Sequence, residues 1–302
     1  MELSLFSVSY AGYWGQHSLG TAEFVAKAAA LGYDSVMIAG KRPHLSPLDV
    51  TDEHLDALRA TLKQHKLRCS AIAAYTDFGS PVAAEVPYLE MQIHFVNRLV
   101  ETAAKLGAAA VRLFTSYESD GQPFFTVWSK TVQAIQEICD RAKDLDVVIA
   151  VQNHHDLAVG TETLLEFLHD VNRDNCRLGF DAWSPALRGE DLYQSALLAA
   201  PFAAITTNAD YVRLSRFRYR PDLINYEKAE PDAVRAVPFG TGFIDYKAFF
   251  SGLSEGGFNG VANYEMCSPI RDGGGGENLD RYASAYVTWM KDNGFAGKKG
   301  QT

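Results

Sequence analysis

The sequence is short of cysteine, of long apolar runs and of basic residues, and each shortage removes a class of protein. Its four cysteines, Cys69, Cys139, Cys176 and Cys267, are scattered without a CxxC or Cys/His spacing. That argues against a disulfide framework or a structural zinc site and for four buried small hydrophobes. No stretch approaches the roughly 18 apolar residues of a membrane helix. The start Met1-Glu2-Leu3-Ser4-Leu5-Phe6 lacks a basic segment leading into an apolar one, so the expectation is a cytoplasmic protein with no membrane partner. Lys and Arg total 28 against 37 Asp and Glu, for a formal net charge of −9, which is the wrong sign for a nucleic-acid partner. A phosphate-binding glycine fingerprint is missing too. The first strand runs into Tyr10-Ala11-Gly12-Tyr13-Trp14-Gly15 rather than G-x-G-x-x-G, which speaks against a nucleotide cofactor and an open doubly wound sheet.

What the chain does have is 302 residues, 47% of them hydrophobic, enough for one domain with a full core. Eight short β-rich runs recur: Leu3–Tyr10, Ser35–Ala39, Arg68–Tyr75, Ala109–Phe114, Val147–Gln152, Arg177–Asp181, Ala203–Asn208 and Gly260–Glu265. Between them lie helix-period stretches, Ala22–Leu31, Asp52–His65, Tyr88–Leu106, Val127–Leu145, Thr161–Val171 and Leu279–Lys291. Thr21, Thr51 and Asn278 read as caps, and Gly32 and Gly107 as stops. Strand and helix alternating eight times close into an α/β fold, the (β/α)8 or TIM barrel, as a single domain over 1–302. One connection is irregular. After strand seven, about 211–244, Arg213, Arg216, Arg218 and Arg220 stand among aromatics and prolines in what reads as a long loop: a lid, a subunit contact in a homo-oligomer, or an anion clamp.

In such a barrel the chemistry sits at the C-terminal ends of the strands. Here those ends are polar. Strand two runs into Gly40-Lys41-Arg42-Pro43-His44, strand five into Gln152-Asn153-His154-His155-Asp156, strand six into Asp181-Ala182-Trp183-Ser184, strand seven into Asn208-Ala209-Asp210 and strand eight into Tyr264-Glu265-Met266-Cys267. On these residues the sequence resembles the xylose-isomerase-like superfamily of sugar isomerases, epimerases and related dehydratases, along nearly the whole chain. The resemblance implies one divalent ion held by a Glu ending strand five, an Asp after a Gly-rich strand six, a His on strand seven and a Glu on strand eight. Asp181 in Gly179-Phe180-Asp181 and Glu265 in Asn263-Tyr264-Glu265 match that pattern. Gln152 stands where Glu is usual, and Asn208, or Thr207 if the register slips by one, where His is usual. The set stays rich in oxygen, which suits Mn2+ or Mg2+ better than zinc. The alternative is a metal-free site where the same groups hold the substrate.

Gln152 also limits the chemistry, because an epimerase working on both faces of a carbon wants two bases and an amide is not one. The expected catalytic groups are therefore Glu265, His154 and Lys41, with His44, His155, Arg112, Trp183 and Arg271 as substrate ligands. Each has a plainer reading. Lys41, Arg42 and His44 make an ordinary solvated loop or face an anionic or polyhydroxyl ligand. His154 and His155 do chemistry or shape the pocket mouth. Arg112, inside strand four, is read first as half of a structural ion pair. Arg271 with the glycines that follow is a phosphate cradle or a flexible loop. Trp183, like Tyr10, Trp14, Tyr75 and Phe114, stacks on a sugar or packs the core.

The function expected is a metal-dependent isomerase or epimerase moving a proton next to the carbonyl of a sugar or keto-sugar. A lyase or dehydratase acting by β-elimination on a keto-sugar or 3-keto-glycoside is the alternative, and a non-catalytic sugar-binding barrel a third. An apurinic endonuclease, also of this superfamily, is excluded because it needs many His ligands and a basic face.

Overall fold

The computed structural model describes residues 1–83 and 85–297. Its barrel strands are β1 (Glu2–Phe6), β2 (Ser35–Ala39), β3 (Arg68–Ala73), β4 (Ala110–Leu113), β5 (Val148–Val151), β6 (Cys176–Asp181) and β7 (Ala203–Asn208), then a hairpin, β8 (Asp210–Arg220) and β9 (Asn225–Val237), and finally β10 (Val261–Tyr264). The helices are α1 (Thr21–Ala30), α2 (Asp52–Gln64), α3 (Tyr88–Leu106), α4 (Phe124–Lys143), α5 (Thr161–Val171), α6 (Trp183–Arg188), α7 (Leu192–Ala199), α8 (Tyr246–Glu255) and α9 (Gly276–Asp292). Eight parallel strands close in the order β1-β10-β7-β6-β5-β4-β3-β2, a single-domain TIM barrel. No helix among the described residues is long and apolar enough to cross a membrane.

The strand period of two decides what each residue faces. Leu3, Leu5, Val36, Ile38, Ile72, Val111, Ile149 and Leu178 point outward into the layer between strands and helices. The helices answer with apolar stripes: α3 buries Ile93, Val96, Leu99, Val100, Ala103 and Leu106 and stops at Gly107, whose φ of 68° lies in the left-handed region. The inward residues form a second, smaller apolar group in which Ala39, Ala71, Ala73, Ala110 and Ala150 dominate. Small side chains there leave room inside the barrel for larger polar ones.

Three sequence expectations are corrected at element ends. Strand one stops at Phe6, and Ser7–Tyr10 turn into a 3-10 segment. The hydroxyls of Ser7 and Ser9 accept from the N–H groups of Ala39 and Met266, at 2.9 Å each, in place of ladder bonds. Thr51 caps α2, but Gly20 precedes α1 and Gly275 precedes α9, so Thr21 and Asn278 lie inside their helices. The helices α6, α7 and α8 lie outside the helix-period stretches expected from the sequence, although α8 buries Tyr246, Phe249, Phe250 and Leu253 at helical spacing.

The segment expected as a long loop is mostly an antiparallel hairpin. Arg216, Arg218 and Arg220 alternate with Phe217 and Tyr219, a strand period exposed on both faces. At its base the Asp210 carboxylate accepts from the N–H groups of Tyr211 (2.9 Å), Gly240 (2.9 Å) and Gly242 (2.8 Å), closing the return of the chain. A Cβ on residue 242 would overlap Asp210 Oδ1 and Tyr211 O. Gly242→Ala is therefore expected to cost on the order of 3 kcal/mol, read as a lowered denaturation midpoint. A midpoint within error of wild type would show that the loop shifts freely.

Candidate active site

At the C-terminal ends of the strands lies a cavity of about 360 Å³, lined among others by Lys41, Arg112, Gln152, His154, His155 and Glu265. That is the lower end of the range for small-molecule pockets and suits one sugar ring or open chain rather than a polymer.

Of the two expected acidic groups, Glu265 lines this cavity and Asp181 lies behind Gln152, which does. Asp181, buried on the inward face of β6, accepts from Gln152 Nε2 at 2.7 Å and from the Ser184 N–H at 3.2 Å. Asn153 clamps the backbone there, its side chain bonding Asp181 O and Asp181 N at 3.0 and 2.8 Å. Burial pushes the Asp181 carboxyl up to about 7, against the pull of those hydrogen bonds, and the Glu265 charge adds to the rise. Glu265 follows β10 and lines the cavity. Its carboxyl too is raised by burial, while the Cys267 thiol, donating to Oε1 at 3.1 Å, and the Arg112 charge pull it back.

The register settles what strand seven offers. Thr207 pairs with Asp181 and with Asn263, so these three share the inward face. Asn208 faces the other way: its Nδ2 donates to Asn263 O at 2.9 Å and to Tyr286 Oη at 3.4 Å, in the helix layer. Asn208 is thus corrected to a structural residue, and Thr207 takes the inward place. Three buried oxygens of this face, Gln152 Oε1, Thr207 Oγ1 and Asn263 Oδ1, have no hydrogen-bond partner among the described residues. With the two carboxylates they form an all-oxygen donor set of the kind a hard divalent ion accepts. Gln152, Asp181, Thr207 and Glu265 are the residues that would hold one. No group of three His, Cys, Asp or Glu suited to a metal occurs among the described residues, so the fit rests on the amide and hydroxyl oxygens beside the carboxylates.

Neutral imidazoles stand opposite. Burial lowers His154 to about 4 and His155 to about 3, with Arg112 and, for His155, its neighbour His154 adding to the effect. The His155 N–H donates to His154 Nδ1 at 2.7 Å. A neutral His154 therefore carries its proton on Nε2 and is a hydrogen-bond donor, not a base. His155, at a φ of 67°, stacks on Tyr117 with ring centroids 3.9 Å apart. Lys41 Nζ lies over the rings of Tyr75 (3.5 Å) and Tyr13 (4.4 Å). Burial, and then Arg112, lower its pKa.

Other expected ligands are placed elsewhere. His44 is buried against Ser7 Oγ (3.0 Å) and Leu19 O (3.3 Å) and lines a separate cavity between α1 and α2. Trp183 packs behind His154, between it and Tyr211, with centroids 5.6 and 5.5 Å away. Arg271 is exposed outside the cavity. Its glycine run packs on the loop after β1, where a Cβ on Gly274 would overlap Gly15 O and where Gly274 O accepts from the His17 N–H at 2.7 Å. That close packing replaces the phosphate cradle. Tyr10 is core, its hydroxyl bonded to Asp280 at 2.8 Å.

Sequence reasoning missed Cys267 and Tyr211. Cys267 was read as a core hydrophobe, yet it lines the cavity between Glu265 and Tyr211 Oη, 3.3 Å from the latter. Its place two residues after Glu265, just beyond a strand end, was the available signal.

The sequence matches the family model of the xylose isomerase-like TIM barrel over residues 25–292. Similar solved structures include a D-allulose 3-epimerase from Methylomonas sp. (TM-score 0.73, 18% identity, 97% of this chain and 98% of that one). Another is the probable 3-DHS dehydratase AsbF from Bacillus anthracis (0.72, 16%, 96% and 99%). A third is a D-psicose 3-epimerase from Clostridium cellulolyticum H10 (0.74, 16%, 98% and 100%). At these identities the likeness is one of fold. No curated protein sequence matches the chain.

Proposed function

The chain belongs to the xylose isomerase-like TIM-barrel family, and from that membership we propose that it is a sugar-modifying enzyme moving a proton at the carbon beside a carbonyl. The observation that carries this is Glu265, a carboxylate of raised basicity on a cavity that it shares with Lys41, Arg112 and His154. Glu265 takes the proton from carbon, and the electron pair passes to the carbonyl oxygen. His154 Nε2–H hydrogen-bonds that oxygen as charge develops. Returning the proton to the former carbonyl carbon from the same side, while the hydroxyl proton on the carbon that lost it passes to the former carbonyl oxygen, completes an aldose–ketose isomerisation. Gln152, tied to Asp181, cannot supply the second base that inversion at one carbon needs.

The donor set fits a divalent ion on Gln152, Asp181, Thr207 and Glu265, and such an ion supplies charge stabilisation for adjacent oxygens when bound. Elimination is the second reading, favoured by Lys41: an ammonium of lowered pKa on the same cavity gives up its proton to a departing hydroxide more readily than an ordinary lysine.

Incubation in D2O with Mn2+ and a panel of aldoses, ketoses and 3-keto-glycosides, followed by NMR, tests the proposal. Deuterium beside the carbonyl in a rearranged product supports isomerisation, and loss of water with an unsaturated ketone supports elimination. Exchange should fall at least tenfold after chelator treatment and return with Mn2+. Sugar binding with no exchange and no product for any member would overturn the enzyme reading in favour of a binding barrel.

A further inference from the structure

Arg112 contradicts its first reading. It is 1% exposed, yet it forms no ion pair among the described residues. Taking a guanidinium out of water is costly unless something compensates the charge. The compensation within the chain is partial. Phe114, Tyr75 and Phe6 present ring faces 4.2, 5.1 and 5.4 Å from its central carbon, and Glu265 acts on it only through space.

Its donors are unevenly used. Nη1 donates to Ala74 O at 3.2 Å, whereas Nε is buried without a partner and Nη2 forms no hydrogen bond among the described residues. Nε and Nη2 are the two parallel donors of one guanidinium edge, the edge that pairs with both oxygens of a carboxylate. The fold makes space for this side chain: a Cβ on Gly179 would sit 3.3 Å from Arg112 Cγ, and the alanines of the inward face surround it. Lys41, also without an ion pair among the described residues, lines the same cavity beside Tyr75.

Two unpaired cations on one small cavity have a use if the ligand brings the missing negative charge. We propose that the substrate is an anionic sugar, a sugar acid whose carboxylate is gripped by the Nε–Nη2 edge of Arg112 and neutralised by Lys41. This rests on the proton-transfer reading for its site and narrows the substrate class. The polar remainder of the sugar then lies toward Glu265 and His154, where its carbonyl carbon meets the base.

Calorimetry with matched probes tests it: the hexuronates D-tagaturonate and D-fructuronate, the neutral D-tagatose and D-fructose, and D-fructose 6-phosphate. Wild type should bind a hexuronate at least tenfold tighter than the neutral ketose of the same stereochemistry, and tighter than the phosphate. Lys41→Met should lower hexuronate affinity about tenfold, and Arg112→Met about a hundredfold, each several times more than it lowers neutral-sugar affinity. Lys41 is only half-buried, so its variant remains informative if the Arg112 variant fails to fold. Phosphate binding above hexuronate would overturn the carboxylate assignment. Equal or tighter binding of neutral ketoses, an undiminished preference in Lys41→Met, or binding of no anion would overturn the inference entirely. Turnover of a neutral ketose alone would leave the proton-transfer reading standing, whereas hexuronate binding with no exchange would sink that reading and keep this one.

Discussion

Glu265→Gln should slow deuterium exchange beside the substrate carbonyl by about a thousandfold, within the range that a positioned base contributes, while the melting temperature stays within a few degrees of wild type. The replacement keeps the size of the side chain and an oxygen for the Cys267 thiol, so the local hydrogen bond survives. What it removes is a proton acceptor for which the cavity has no substitute in kind. Asp181 is spent on Gln152 and Ser184, and His154 presents a donor. Burial raises Glu265 above the ordinary carboxylate range, so wild-type activity should rise with pH through a limb displaced upward from that range. That limb belongs to the base and should disappear from the variant's residual rate. A loss of less than tenfold, with the limb unchanged, would take the role of base from Glu265 and pass it to another group of the cavity such as Lys41.

The barrel was readable because its signal repeats: eight short runs, six of them with an apolar-periodic stretch beside them, leave little freedom of topology. The placement of Asp181 and Glu265 at strand ends was readable because residue type and strand end coincide there. The site was misread where one residue of register decides the outcome. Asn208 and Thr207 are neighbours, and only the pairing of Thr207 with Asp181 and Asn263 shows which faces inward. His44 fails for a different reason. It follows a polar strand end like its neighbour Lys41, but Ser7 on an adjacent turn captures its ring. The hairpin after β7 looked like a loop because neither of its faces is covered, so the alternation of Arg with Phe and Tyr carries no apolar side. Arg112 looked like half of an ion pair because a buried charge ordinarily is. Finding it unpaired required the positions of every carboxylate around it.

Asp181→Asn should show the opposite balance, destroying activity while stabilising the fold at neutral and higher pH. In the folded chain the Asp181 carboxyl titrates near 7 because burial disfavours its charge, against about 3.9 when unfolded. Between those values the folded state keeps a proton that the unfolded state has released, so stability falls as pH rises through that window. Above about 7 the full cost is present, with a ceiling on the order of 4 kcal/mol. Asparagine carries no such cost. Its oxygen still accepts from Ser184, and a rotated Gln152 amide turns the partnerless Oε1 toward the new N–H, converting an unsatisfied acceptor into a bonded one. In buffer with chelator, the advantage of the variant in denaturation midpoint should be smallest near pH 3, below both values, and grow toward pH 8. Mn2+ should then raise the wild-type midpoint at pH 8 and leave the variant's almost unmoved, because a ligand that binds only the folded state stabilises it by mass action. A variant less stable than wild type at pH 8 in chelator would show that hydrogen bonding outweighs burial at Asp181, and that the charge there is held at no net cost to the fold.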